Sequence, residues 1–224
     1  MESPLIEAAK SLFLILSALF PIVDPLGGSP IYLAMTREYS QATRKALSWR
    51  IATNSFFLLV GSYFIGTHIL SFFGISLPVV QVGGGLIVIS TGWALLKQGT
   101  PGSQKNVKRT IEPEDPFHKA FYPLTLPLTV GPGSISVAIT LGANSPHHQG
   151  FNVLGILVAI VGCVLLALSI YLCYGFADRL GQMLGATGMT VIMQLTSFLL
   201  VCIGVQILWN GTSALLTSLQ WPVR

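Results

Sequence analysis

Three stretches of this chain, residues 51–96, 120–177 and 180–223, contain no Asp, Glu, Lys or Arg. Such sequence cannot cover a water-soluble core, because soluble domains carry about 25% charged residues. Here 9% of the 224 residues are charged and 52% are hydrophobic. The solvent is lipid, where a spanning helix needs about 20 apolar residues.

Cutting the chain at its polar and Gly/Pro-rich turns gives six spans, at about residues 5–35, 46–67, 77–96, 120–141, 151–174 and 189–208. The segment 98–118, with Lys105, Lys108, Arg109, Glu112, Glu114 and Asp115 among Gly and Pro, reads as a surface linker. It divides a single membrane domain into repeat one, about 1–97, and repeat two, about 119–224. Residues 178–188 read as a loop or interfacial turn. A seventh span is the alternative if the first segment is a re-entrant pair.

The net charge of +4 does not indicate nucleic acid, since the basic residues lie between apolar spans. With six spans, the loops after spans one, three and five share one face. They hold Arg37, Arg44, Lys45, Arg50, Lys97, Lys105, Lys108, Arg109, Lys119 and Arg179, ten of the 12 Lys and Arg residues. Lys and Arg concentrate in cytoplasmic loops, so both termini are expected outside the cytoplasm. Glu2, Glu7 and Lys10 at the start, and the long apolar run after them, do not fit a cleavable signal peptide. Cys163, Cys173 and Cys202 sit inside apolar runs without CxxC spacing, so they read as packing residues rather than a disulfide framework or a zinc site.

Two segments depart from smooth apolar sequence. They are Pro21-Ile22-Val23-Asp24-Pro25-Leu26-Gly27-Gly28-Ser29-Pro30 and Pro127-Leu128-Thr129-Val130-Gly131-Pro132-Gly133-Ser134-Ile135-Ser136. Each lies in the first span of its half, and each breaks a helix, because proline removes a backbone donor and glycine admits other backbone angles. Freed backbone groups are tolerated at membrane depth only where protein, water or ligand satisfies them. Asp24 is 14 residues after Lys10 and Gly131 is 12 after Lys119. At about 1.5 Å per residue, each break therefore lies roughly 18–21 Å into its span, near or past the middle of a hydrocarbon core about 30 Å thick. Three spans per half make the halves inverted, and paired interrupted segments of this kind point to a secondary transporter's midplane site.

Asp24 is the acidic residue that must lie inside a span, where a central charge costs about 2.5–3.5 kcal/mol. Two readings stay open: it contacts a solute, proton or sodium ion, or it caps the half-helix starting near Pro25. The substrate-binding candidates are Asp24, Pro25, Gly27, Gly28, Ser29, Gly131, Pro132, Gly133 and Ser134. Asn54, Gln81, Gln194 and Gln206 are candidates for lining a polar path, with interhelical hydrogen bonding as the equally ordinary alternative.

These motifs, with the six-span hydropathy, resemble the MarC family of bacterial and archaeal inner-membrane proteins over essentially the whole chain. The first resembles its (Asp/Asn)-Pro-x-Gly-x-x-Pro pattern at Asp24, Pro25, Gly27 and Pro30; the second resembles Pro-Leu-x-x-Gly-Pro at Pro127, Leu128, Gly131 and Pro132. Gln81 departs from the pattern, standing where a basic residue is expected near the start of the third span. The family is grouped with LysE-type exporters, which implies movement of amino acids or small metabolites.

The expectation is therefore an all-α membrane protein of two inverted three-helix repeats, the first helix of each broken, whose repeats rock to alternate access. Small neutral amino acids are the favoured substrates; a non-transporting scaffold or stress-related protein and a membrane enzyme are the alternatives. No catalytic residue, metal site or cofactor is assigned, no phosphate-binding Gly-Lys-Ser or Gly-Lys-Thr loop is present, and a homo-oligomer is compatible with the sequence. Arg50 is expected to snorkel to the interface. The pairs Gly85/Gly92, Gly155/Gly162 and Gly204/Gly211 are expected to let helices approach closely. His147 and His148 fall in an outside turn.

Overall fold

The computed structural model describes residues 4–97, 117, 119–145 and 153–218. The polar linker, Phe117 and Lys119 apart, and the turn carrying His147 and His148 lie outside them. The described elements are all helical: α1 Pro4–Val23, α2 Pro25–Met35, α3 Gln41–Phe72, α4 Leu77–Lys97, a wide-turned segment Ala120–Thr129, α5 Pro132–Ala143, α6 Val153–Gly175 and α7 Ala177–Ser218. Five runs are long and apolar enough to cross a membrane, α1 and α2 counting together as Ile6–Met35, and the bent pair Ala120–Thr129 with Pro132–Ala143 brings the number to six if it is one span.

The second and sixth spans and residues 178–188 differ from the sequence reading, the sixth span running on to Ser218 rather than ending near 208. The second span extends at both ends into the 32-residue α3, because Ser40 caps its N-terminus by accepting from Thr43 N at 3.1 Å, ahead of the first apolar residues. Residues 178–188 are helical rather than a loop. α7 begins at Ala177, and Gly185, at φ 65° and ψ 179°, is its one non-helical residue before the span Thr187–Ser218. A positive φ of that size is readily adopted only by glycine.

The loops after spans one, three and five do meet on one face. Arg44, near the start of α3, pairs with Asp178 in the first turn of α7 at 2.9 Å, and the Arg50 guanidinium lies 4.1 Å over the ring of Phe117, just before the wide-turned segment. Arg50 thus keeps its charge at the end of its span while stacking on an aromatic face. Large apolar side chains such as Phe13, Phe57, Phe72, Trp93 and Leu195 point outward, as they do when lipid is the solvent.

Packing runs between the halves. The broken first span packs on α6 and α7, the wide-turned segment and α5 pack on α3 and α4, α3 packs on α6, and α4 on α7; among the described residues, contact within a half is slight. The two halves of the chain are therefore interleaved, not separate three-helix bundles. Glycines set the distances. A Cβ on Gly85 would stand 2.6 Å from Leu208 N and one on Gly204 2.7 Å from Ile89 N, while one on Gly162 would press on Ile15. At these positions the seven-residue glycine spacing serves close helix approach, as expected.

Candidate functional site

The first break is a single residue. Pro25 has no N–H for the carbonyl of Pro21, and the residue before a proline avoids the α region. Asp24 accordingly takes a left-handed conformation, φ 45° and ψ 62°, and Pro25 opens α2. Asp is among the few residues that visit this region. Asp24 Oδ1 accepts from Gly27 N at 3.0 Å, so the carboxylate does cap α2, and Thr196 Oγ1 of α7 faces the same carboxylate across Gly27. A Cβ on Gly27 would collide with both groups. One proline further on, Pro30 leaves the Leu26 carbonyl without its helical donor, and Ser29 Oγ supplies one at 2.8 Å.

The second break is broader. Tyr122 and Leu126, each preceding a proline, are extended, at φ −125° and −108°, as that position favours. Two threonines serve carbonyls of the widened turns: Thr125 Oγ1 donates to Ala120 O at 2.6 Å and Thr129 Oγ1 to Leu124 O at 2.7 Å. Gly131 is extended, Pro132 starts α5, and the chain turns by 67°. No side chain caps this N-terminus, so the amides of Gly133 and Ser134 are its open donors.

Behind the breaks, the rings of Tyr32 (α2) and Tyr174 (α6) stack at 4.7 Å and 10°, and both are fully buried. Tyr32 Oη donates to Arg44 O at 2.6 Å, and Tyr174 Oη lies 3.0 Å from Thr129 Oγ1. The two broken segments are thereby tied to α3 and α6. Each such aromatic pair contributes about 0.5–1.5 kcal/mol beyond its buried area.

In front of the breaks lies a cavity of about 330 Å³. Asp24, Gly27 and Gly28 line it from the first break, and Gly131, Pro132, Gly133 and Ser134 from the second. The opposite wall is Val88, Thr91 and Leu95 of α4 with Leu200 of α7. The lining reaches Met35, Leu95 and Pro123, where α2 and α4 end and the wide-turned segment begins, so the cavity extends toward the Lys/Arg-rich face. Asp24 is the one ionisable side chain among its lining residues. An open carboxylate and an uncapped helix N-terminus in one apolar-walled hollow provide an acceptor for a cation and donors for an anion.

Seven of the nine substrate-binding candidates thus share this cavity wall. Pro25 and Ser29 do not; both are buried in α2 behind it. None of the four path-lining candidates belongs to the wall. Asn54 Nδ2 donates to Thr125 Oγ1 and Gln81 Nε2 to Thr140 Oγ1, each at 3.4 Å, so these amides join helices. Gln194 is exposed, and Gln206, also exposed, donates to Asn210 Oδ1 at 2.9 Å. The sequence reading missed Thr196, Tyr174 and the α4 wall, whose relevance arises only from tertiary contact.

The sequence profile described as MarC family integral membrane protein matches residues 9–216. The chain belongs to the MarC family. It is 31% identical over 214 residues to the UPF0056 inner membrane protein MarC of Citrobacter koseri, covering 92% of this chain and 96% of the relative. The proteins of the same name from Salmonella typhimurium and Escherichia coli (strain ATCC 8739) are 30% and 29% identical, with the same coverage of both chains. No solved structure matches. In this MarC-family protein, the first motif supplies the cap, first residue and tight contact of α2, and the second supplies the corner into α5.

Proposed function

We propose that this protein is a secondary transporter that moves small polar solutes through the cavity between its two broken spans. The reading is carried by one observation: the two breaks, distant in sequence, line a single cavity that holds a membrane-depth carboxylate and a helix N-terminus without a side-chain cap. A non-transporting scaffold would instead have that space filled with side chains. Small neutral amino acids are the proposed substrates, with the ammonium at Asp24 and the carboxylate at the amides of Gly133 and Ser134.

The packing supports two halves of inverted topology, since exchanging span one with four, two with five and three with six preserves the pattern of contacts. The proposed orientation puts the Lys/Arg-rich face in the cytoplasm and both termini outside, so the cavity described here is the inward-facing one. Proton or sodium coupling is part of the proposal, with Asp24 as the coupling group.

The test is uptake and counterflow in proteoliposomes across a panel of radiolabelled amino acids, with and without proton and sodium gradients. Saturable, protein-dependent exchange of small neutral members is the expected result. Liposomes as tight to the whole panel as protein-free ones would refute transport of this class.

A further inference from the structure

The packing divides the molecule into two bodies that do not coincide with its two halves. Among the described elements α4 and α7 make the most extensive helix contact, at backbone distance: besides Gly85 and Gly204, a Cβ on Gly211 would stand 2.7 Å from Pro78 O and one on Gly92 2.9 Å from Ser197 O. This pair touches the remainder chiefly through α2 and α5, the helices that follow the breaks. α3 packs along neither member and meets α7 through Arg44 and Asp178. The cavity lies in the seam, with Val88, Thr91, Leu95 and Leu200 on one side and Asp24 and Gly133 on the other.

The ends of the pair are held differently. The first turn of α7 is pinned to α3 by the Arg44–Asp178 ion pair, and Gly185 interrupts the helix seven residues after Asp178. A Cβ on Gly185 would meet nothing within 4 Å, so the joint is not wedged by neighbours. Across the seam, Thr196 Oγ1 of α7 and Asp24 Oδ2 converge on the place a Cβ of Gly27 would take. The hydroxyl donates within its own helix, 2.8 Å from Ile192 O and 3.2 Å from Met193 O. A hydroxyl has one proton to give. Turning it to a bare carboxylate would draw α7 against α2; a solute cation or a proton on that oxygen leaves the hydroxyl with its own helix, as in this structure.

We propose that α4 and residues 187–218 of α7 move as one body about Gly185, and that Thr196 is the positioning residue through which Asp24 controls that motion. This rests on the transport reading and specifies the moving part within it. Occupancy of Asp24 releases the seam, and the cavity changes the face to which it opens.

The experiment uses the full-length protein in liposomes, with Cys163, Cys173 and Cys202 replaced by serine or alanine. Spin-label pairs at Trp93/Leu199 and Phe57/Leu199, all outward-facing positions, report distances within the moving body and between the bodies. Asp24→Asn and Thr196→Val should each shift the Phe57/Leu199 distribution to the same new population, the double variant should shift it no further, and Trp93/Leu199 should stay fixed. Non-additivity of that kind identifies residues acting as one unit. Thr196→Ser, which keeps the hydroxyl, should restore the original distribution.

A shift in Trp93/Leu199, additive effects, an unmoved Phe57/Leu199 distance, or no rescue by serine would overturn the proposal. Failure of amino-acid exchange in otherwise unlabelled liposomes would count against the transport reading alone, since the distance measurements need no substrate.

Discussion

Asp24 does two jobs with one carboxylate, and substitutions separate them. Its Oδ1 caps α2 through Gly27 N, while the side chain also lines the cavity. Asn keeps a capping oxygen and tolerates the left-handed backbone. Asp24→Asn should therefore unfold within about 1 kcal/mol of wild type in detergent melts, the size of a typical cap contribution, yet lose coupled flux. Asp24→Ala gives up the cap and places a β-carbon residue at positive φ, so it should lower stability by about 1–3 kcal/mol. A melt in which Asn is as damaging as Ala would mean that the charge holds the fold together. Gly28→Ala probes the support behind the site: its Cβ would stand 2.5 Å from Tyr174 Oη. Displacing that stacked ring should cost about 1–3 kcal/mol by overpacking, read as a lowered melting temperature.

At the scale of elements, the sequence disclosed the breaks more fully than their forms. Proline and glycine at Pro25, Gly27, Gly131 and Pro132 act locally, through a missing donor and a permitted dihedral, so both interruptions were legible in the sequence. Their unequal shapes were not, because the 67° corner depends on which partner satisfies each displaced backbone group. Thr125 and Thr129 do so by reaching five residues back, and no periodicity announces that. Residues 178–188 were misread for a related reason: a polar turn reads as a loop unless one knows that Asp178 faces Arg44. The path-lining amides are similar, since Asn54 and Gln81 are directed at Thr125 and Thr140, not at the cavity. Glycine positions give a sharp element-level prediction. Gly85→Val must part α4 from α7 because its Cβ meets backbone atoms, and should destabilise by at least about 2 kcal/mol. Gly83→Ala, with nothing within 4 Å of its Cβ, should change stability by less than about 1 kcal/mol.

For the whole molecule, interleaving is the main consequence of the packing. Neither half buries its own helices, so residues 1–97 expressed without the remainder should not reach a protease-resistant state, whereas the two halves co-expressed should assemble. Orientation is testable separately. Membrane-impermeant maleimide applied to intact cells should label a cysteine placed at Ser76, in the α3–α4 turn, and spare one at Ser40 before α3; the reverse pattern would invert the proposed topology. Transport as proposed requires the cavity between the breaks to be a water-accessible solute site. Ser134→Cys in a background free of the three native cysteines examines that directly, because Ser134 lies on the cavity wall at the start of α5. In inside-out vesicles this cysteine should react with a small impermeant thiol reagent, and a transported amino acid should slow the reaction several-fold. A thiol that is inert from both faces, or one whose rate no panel member alters, would contradict the account.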